Sequence, residues 1–174
     1  HRKILVIDGQ VAFTGGINLA DEYINYIERF GYWKDTAIKL KGDAVKSFTA
    51  MFLQMWNMME PGDEDYEKYL CVDCEPVLSG NQGYVIPYND DPCNGEDIAE
   101  GVYLDILNKA QNYVYIMTPY LIPENEIITA LRFAAQRGVD VRIIMPHIPD
   151  KKTAFDIAHT YYLQLLDAGV KIYE

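Results

Sequence analysis

Chemistry is concentrated in the first eighteen residues. His1 and Lys3 stand two apart, Asp8 follows five residues later, and Gly15-Gly16-Ile17-Asn18 comes after a short apolar run. On a strand, residues two apart share a face, so His1 and Lys3 project together and Arg2 does not. An imidazole beside an ammonium suits a phosphoester. The ammonium neutralises a non-bridging oxygen, and the imidazole attacks phosphorus or protonates a leaving oxygen. The neighbouring charge also lowers the imidazole pKa and keeps the ring neutral near pH 7. Asp8 lies an odd number of residues from both and is expected on the turn, in a supporting role. Asn18 can return its amide to the same phosphate, and Gly16 permits close backbone approach.

These residues need a hairpin to hold them. Lys3 to Ile7, Asp8-Gly9 and Val11 to Thr14 read as strand, two-residue turn and strand. Asp21 to Glu28 reads as a short helix, Trp33 to Lys41 as a half-exposed strand, and Asp43 as the cap of a helix reaching Met59. Beyond a connector, the expected order is strand Tyr84 to Pro87, helix Glu96 to Gln111, strand Tyr113 to Thr118 and helix Glu124 to Arg137. Strand Val139 to Met145, helix Lys151 to Ala168 and strand Val170 to Tyr173 complete it. Gly138 and Gly169 stop the last two helices. The expectation is an α/β chain: a hairpin-rich half (1–59), an acidic connector (60–83) and a βαβαβαβ half (84–174).

The 174 residues suffice for one ordinary domain or two small ones, and 49% hydrophobic with 24% charged is ordinary globular usage. No apolar run spans a bilayer, and no signal peptide is read at the start. Of the net charge of −11, the stretch from Glu60 to Asp105 holds 13 acids against the single base Lys68. Such a segment repels nucleic acid, so phosphate must be met on the flanks. Cys71-Val-Asp-Cys74 with Cys93 left over makes no disulfide framework, and His147 and His159 lie too far along for a zinc site. Structural or free thiols in a reducing compartment are expected. On the helix expected from Asp43 to Met59, Met51, Met55 and Met58 or Met59 form one stripe beside Phe48, Phe52 and Trp56, an apolar arc wider than one core face needs. Tyr120 follows a strand end where open parallel sheets gather ligands, and His147 reads as a surface loop residue. Asp21, Glu22 and Glu28 are all available to orient His1.

H-x-K-x4-D followed by G-G-x-N resembles the signature of the phospholipase D superfamily. Gly31-Tyr32-Trp33-Lys34-Asp35-Thr36, Phe52 to Asn57, Thr118-Pro119-Tyr120-Leu121-Ile122-Pro123, Gly138 to Ile144 and Pro146 to Lys152 are similar to bacterial cardiolipin synthases. The resemblance implies a mixed sheet flanked by helices, two such motifs meeting at one site, and no metal or other cofactor. It implies that one histidine takes the phosphatidyl group of phosphatidylglycerol as a phosphohistidine. The other protonates the departing glycerol, and a second phosphatidylglycerol then yields cardiolipin. It also implies an enzyme of the bacterial cell membrane with its catalytic part facing the cytoplasm. Here only one motif is present: His147 is followed by Ile-Pro and His159 by Thr-Tyr. The expectation is therefore the motif-bearing half of a first domain joined to the opening half of a second, soluble and inactive alone. The two halves would close on each other or complete each other in a homodimer. The alternatives are another phosphodiesterase of the superfamily, a phospholipase or nuclease, and a non-catalytic phosphate-binding half-site.

Overall fold

The computed structural model describes residues 2–60, 62, 65–70, 83–90 and 95–174. His1, all three cysteines and most of the acidic connector lie outside the described residues. The chain divides into two compact units, His1–Asn89 and Asp90–Glu174.

The first unit is an antiparallel meander, β1 (Ile4–Ile7), β2 (Val11–Gly15) and β3 (Ala37–Lys41), with the 16-residue helix α1 (Ala44–Met59) on one face. Asp8 and Gly9 both adopt positive φ, 52° and 66°, and the Gln10 amide donates to the Ile7 carbonyl at 3.0 Å. That is the primed two-residue turn whose twist matches a hairpin, and Asp-Gly is among its preferred pairs. The hairpin expectation holds, with Ile4 paired to Thr14 and Val6 to Ala12. Alternation then sorts the strands: Ile4, Val6, Ala12 and Leu40 pack with Val45 and Phe48 of α1, while Leu5 and Ile7 face outward. Asp43 does precede α1, but its carboxylate pairs with Lys46 at 3.0 Å and makes no capping bond. A second short helix, α2 (Glu67–Leu70), lies inside the segment read as connector, and its Tyr66 neighbour accepts the Asn57 amide at 2.6 Å.

Two expected elements shrink. Asp21 to Glu28 is one 3-10 turn, Asp21–Ile24, ended by Asn25 in the left-handed region. Trp33 to Thr36 stay out of β3 because local groups claim their backbone. Asn25 accepts from the Trp33 amide at 2.6 Å and donates to its carbonyl at 2.9 Å, and the Asp35 carboxylate takes the Thr36 amide at 2.7 Å. Such side-chain bonds compete with ladder pairing.

The second unit is a parallel sheet, β4 (Tyr113–Met117), β5 (Asp140–Ile144) and β6 (Lys171–Tyr173), in that order, with α3 (Ile98–Lys109), α4 (Asn125–Gln136) and α5 (Lys152–Leu166). Gly138 (φ 92°) and Gly169 (φ 96°) end α4 and α5 in the left-handed conformation, as read. Arg137 clamps the end of α3, donating from one nitrogen to the Leu107, Asn108 and Ala110 carbonyls. Leu131, Val141, Ile143 and Leu165 centre a core larger than that of the first unit. The expected strand Tyr84 to Pro87 is absent: these residues are irregular and Tyr84 is almost fully exposed. An apolar triplet with no sheet edge beside it has nothing to donate to. The half is therefore αβαβαβ, and the one mixed sheet expected is represented by two three-stranded sheets, one antiparallel and one parallel.

At the amino end of β5, Asp140 collects Arg142 at 2.8 Å, Lys171 at 2.8 Å and the Tyr115 hydroxyl at 3.0 Å. The hydrogen bonds from Arg142 first, then Lys171, hold the Asp140 carboxyl far below the usual carboxylate range. A depressed folded pKa stabilises the fold above the unfolded pKa, about 3.9, and that contribution fades as pH falls toward the folded value. Asp140→Asn is therefore expected to lower the melting temperature at pH 7, and the gap to wild type should close as pH drops below about 4. Thermal melts of both proteins from pH 7 to 2 check this; a gap independent of pH would assign the loss to packing.

Candidate functional site

One step beyond the Ile4–Thr14 pair, the register brings Lys3 level with Gly15, which pairs in turn with Ala37. Lys3 continues the alternation of Leu5 and Ile7, on the sheet face opposite α1. Gly16 donates to the Thr36 carbonyl at 3.2 Å. So Lys3, Gly15-Gly16 and Asp35-Thr36 gather at one end of the meander, and Asn18 follows directly after the glycine bend. The Asn18 side chain is half-buried, with no hydrogen-bond partner among the described residues. An amide in that state is ready for a ligand oxygen. Asp8 occupies the turn at the opposite end of β1, about 15 Å from Lys3 at strand rise. The turn thus separates Asp8 from the Lys3 end of the strand.

The glycines are required by space. A β-carbon on Gly15 would lie 2.3 Å from the Thr36 carbonyl oxygen, and one on Gly16 would lie 2.4 Å from Asp35 Oδ1. That second approach identifies a residue sequence reasoning missed. The Asp35 carboxylate is held by the Trp33 indole N–H at 3.1 Å and by the Thr36 amide at 2.7 Å, against the bend itself. Trp33 is fixed in turn by Tyr23 and Phe30, ring centroids 4.8 and 5.8 Å away. Of the acids named from sequence, Glu22 pairs with Arg29 at 3.5 Å, Asp21 is exposed at the start of the 3-10 turn, and Glu28 is exposed in the loop after it. Asp35 is the carboxylate at the site. In the sequence it appears only within the Gly31 to Thr36 segment of resemblance, and its approach to Gly16 comes from the fold.

Tyr120 belongs to the second unit. It follows the carboxyl end of β4, its amide bonded to the Thr118 hydroxyl at 3.2 Å and its own hydroxyl donated to Asp150. The Lys151 ammonium lies 5.4 Å from the ring centroid. His147 is exposed, as a surface loop residue should be. A different histidine is engaged: His159 meets Glu174 at 2.8 Å, and Glu174 also accepts the Tyr162 hydroxyl at 2.9 Å. Burial first, then that bond, pushes the Tyr162 phenol up to about 12. A cavity of about 930 Å³ in the first unit is lined by Ile4 to Val6, Asp8 and Gly9 together with Phe52, Leu53 and Trp56 of α1 and Lys68 and Tyr69 of α2. Gly16 and Asn18 do not line it. No helix of the described residues is long and apolar enough to cross a membrane.

Residues 103–174, within the second unit, match the family model described as the phospholipase D-like domain of cardiolipin synthase. The full 174 residues are 62% identical to an uncharacterised protein of Streptococcus mutans serotype c, covering 100% of this chain and 37% of that protein. They are 41% identical to cardiolipin synthase 2 of Bacillus cereus and 40% identical to a cardiolipin synthase of Geobacillus sp. (strain WCH70), covering 100% of this chain and 34% of each relative. Similarity thus extends through the first unit and its motif as well as the second. The chain is similar to cardiolipin synthases along its whole length and spans about a third of the length of the curated relatives it matches.

Proposed function

We propose that this stretch supplies half of a phosphatidyltransferase site. The observation that carries the reading is the convergence of Lys3, Gly16 and Asn18, whose amide has no partner among the described residues, at one end of the meander. Lys3 and Asn18 bind the non-bridging oxygens of phosphatidylglycerol. The His1 imidazole forms a P–N bond as the P–O bond to glycerol breaks, or else donates the proton that lets glycerol leave. A phosphatidylglycerol hydroxyl then attacks the phosphohistidine, giving cardiolipin and returning the imidazole. Asp35, against the Gly16 bend, is the carboxylate assigned in this reading to orient the imidazole. Asp8 holds the turn, and Tyr120 lines the ligand edge of the second unit.

In this reading residues 1–59 are the later half of one phospholipase D-like domain and residues 84–174 the opening half of the next, with 60–83 between them. A second H-x-K is absent from the 174 residues, so a protein of the relatives' length, or a pair of copies, provides the second histidine. That protein works at an anionic membrane surface, on the cytoplasmic face of the bacterial cell membrane, without cofactor or nucleic acid. Alone, the 174 residues are a phosphate-binding half-site without turnover.

The test incubates fluorescent phosphatidylglycerol in mixed micelles with a protein of the relatives' length carrying this stretch, with its His1→Ala variant, and with the 174 residues. Cardiolipin from the first alone supports the reading. Phosphatidic acid in place of cardiolipin would make the protein a phospholipase, and cardiolipin from the variant would remove His1 from the chemistry.

A further inference from the structure

The hydrogen bond from the Gly16 amide to the Thr36 carbonyl closes residues 17–35 into a loop that leaves and rejoins the meander at the glycine bend. The loop has a core of its own. Trp33 packs on Tyr23 and Phe30, and Asn25 holds both the amide and the carbonyl of Trp33. The Arg29 guanidinium lies over the Phe30 ring, 4.9 Å from its centroid, and pairs with Glu22. With Tyr23, Phe30 and Trp33 gathered together, five large apolar side chains still remain outside: Leu19, Ile24, Tyr26, Ile27 and Tyr32. Their exposure runs from 53% (Ile27) to complete (Leu19). A loop that already builds its own core has no folding reason to carry them, and an exposed apolar patch of this kind marks a contact surface.

We propose that this loop is a bilayer-docking surface, with Leu19, Ile24, Tyr26, Ile27 and Tyr32 entering the headgroup zone of a phospholipid membrane. The composition is that of an interfacial anchor, aliphatic side chains beside tyrosines whose hydroxyls stay at the water boundary. Continuity with the phosphate site selects lipid over protein as the occupant, and in this step the inference rests on the phosphatidyl reading above. Asn18 opens the loop, and the Gly16–Thr36 bond closes it, so the apolar surface borders the point where a phosphatidyl group is held. A headgroup meets Lys3 and Asn18 only while its acyl chains stay out of water, and a surface that enters the bilayer beside them meets that condition. Charge gives the docking its character. Residues 19–34 hold Asp21, Glu22 and Glu28 against Arg29 and Lys34, with no positive excess. The docking is therefore apolar, and salt does not release it as it releases a polybasic anchor.

The 174-residue chain is sedimented with vesicles of phosphatidylcholine containing a minor share of phosphatidylglycerol, at low and at high salt. It is expected to travel with the vesicles in both. Ile24→Glu and Ile27→Glu should each weaken binding roughly tenfold, the factor lost when an isoleucine no longer leaves water, with melting temperatures unchanged. Met59→Glu, at an exposed position on α1, should bind as wild type does. Absence of binding, binding abolished by salt, or binding indifferent to both loop glutamates overturns the proposal. In a protein of the relatives' length with its other cysteines replaced, Ile27→Cys should react with a water-soluble maleimide before vesicles are added and be protected afterwards. Protection without vesicles would show that another part of the protein covers the loop, and that too overturns it. Binding is read without turnover, so a protein that docks yet makes no cardiolipin sinks the transfer reading and leaves the docking in place.

Discussion

Lys3→Ala, in a protein of the relatives' length, is expected to reduce cardiolipin formation by about 10²–10³-fold, the usual loss when one group stabilising transition-state charge is removed. The phosphoryl oxygens gain charge as the P–N bond forms, and an ammonium level with the glycine bend meets that charge without reorganisation. Lys3 lies before β1 and outside the α1-packed core, so the melting temperature should stay near that of wild type. Lys3→Arg keeps the charge but presents a wider planar group beside Gly15, and is expected to recover only part of the rate. The assay is initial rate of cardiolipin formation from phosphatidylglycerol at saturation. Activity of Lys3→Ala within threefold of wild type would place the phosphate elsewhere.

Gly15→Ala is the larger structural change. The added methyl would sit 2.3 Å from the Thr36 carbonyl oxygen and 2.8 Å from Ala37 Cα, both backbone atoms of the neighbouring strand. A side chain could rotate away; a paired strand cannot. Overpacking of this kind costs about 1–3 kcal/mol and occasionally more, which in a unit of this size lowers its melting temperature by roughly 10 °C or more. Relief by separating β2 from β3 would carry Thr36 and Asp35 away from Gly16, so transfer should fall with stability. Gly16→Ala meets a carboxylate at 2.4 Å instead. It should melt closer to wild type while still displacing Asp35. Thermal melts of both variants separate the two cases, and equal melting temperatures would contradict the distinction between backbone and side-chain obstruction.

What could be read in advance follows from the range of the forces involved. The Asp8-Gly9 turn, the alternation on β1 and β2, and the glycine stops at 138 and 169 are decided within a few residues, and each was legible. Tyr84 to Pro87 shows the limit: the residues favour a strand, but a strand exists only where a neighbour accepts its hydrogen bonds. Asp35 was illegible for the opposite reason. Nothing in Trp33-Lys34-Asp35 announces that its carboxylate will lie against Gly16, because β3 brings it there through a loop pinned by Asn25. The wide apolar arc of α1 was visible in sequence. Which part of it the first unit would cover depended on how many strands lay beneath, and three strands cover Val45 and Phe48 but leave Trp56.

The Asp8-Gly9 turn also has a consequence in time. A two-residue turn closes a hairpin on the scale of about 1–10 μs, before contacts between distant segments are made. Zipping from that turn through Ile7–Val11 to Ile4–Thr14 carries Lys3 to Gly15 as the last step of the same local event. The Lys3–Gly15 end of the proposed phosphate site is thus expected to assemble while the chain is otherwise unfolded, before the loop bearing Asp35 arrives at the glycine bend. A peptide of residues 1–18 should accordingly show the Asp8-Gly9 turn by NMR, with transient cross-strand contacts between Val6 and Ala12.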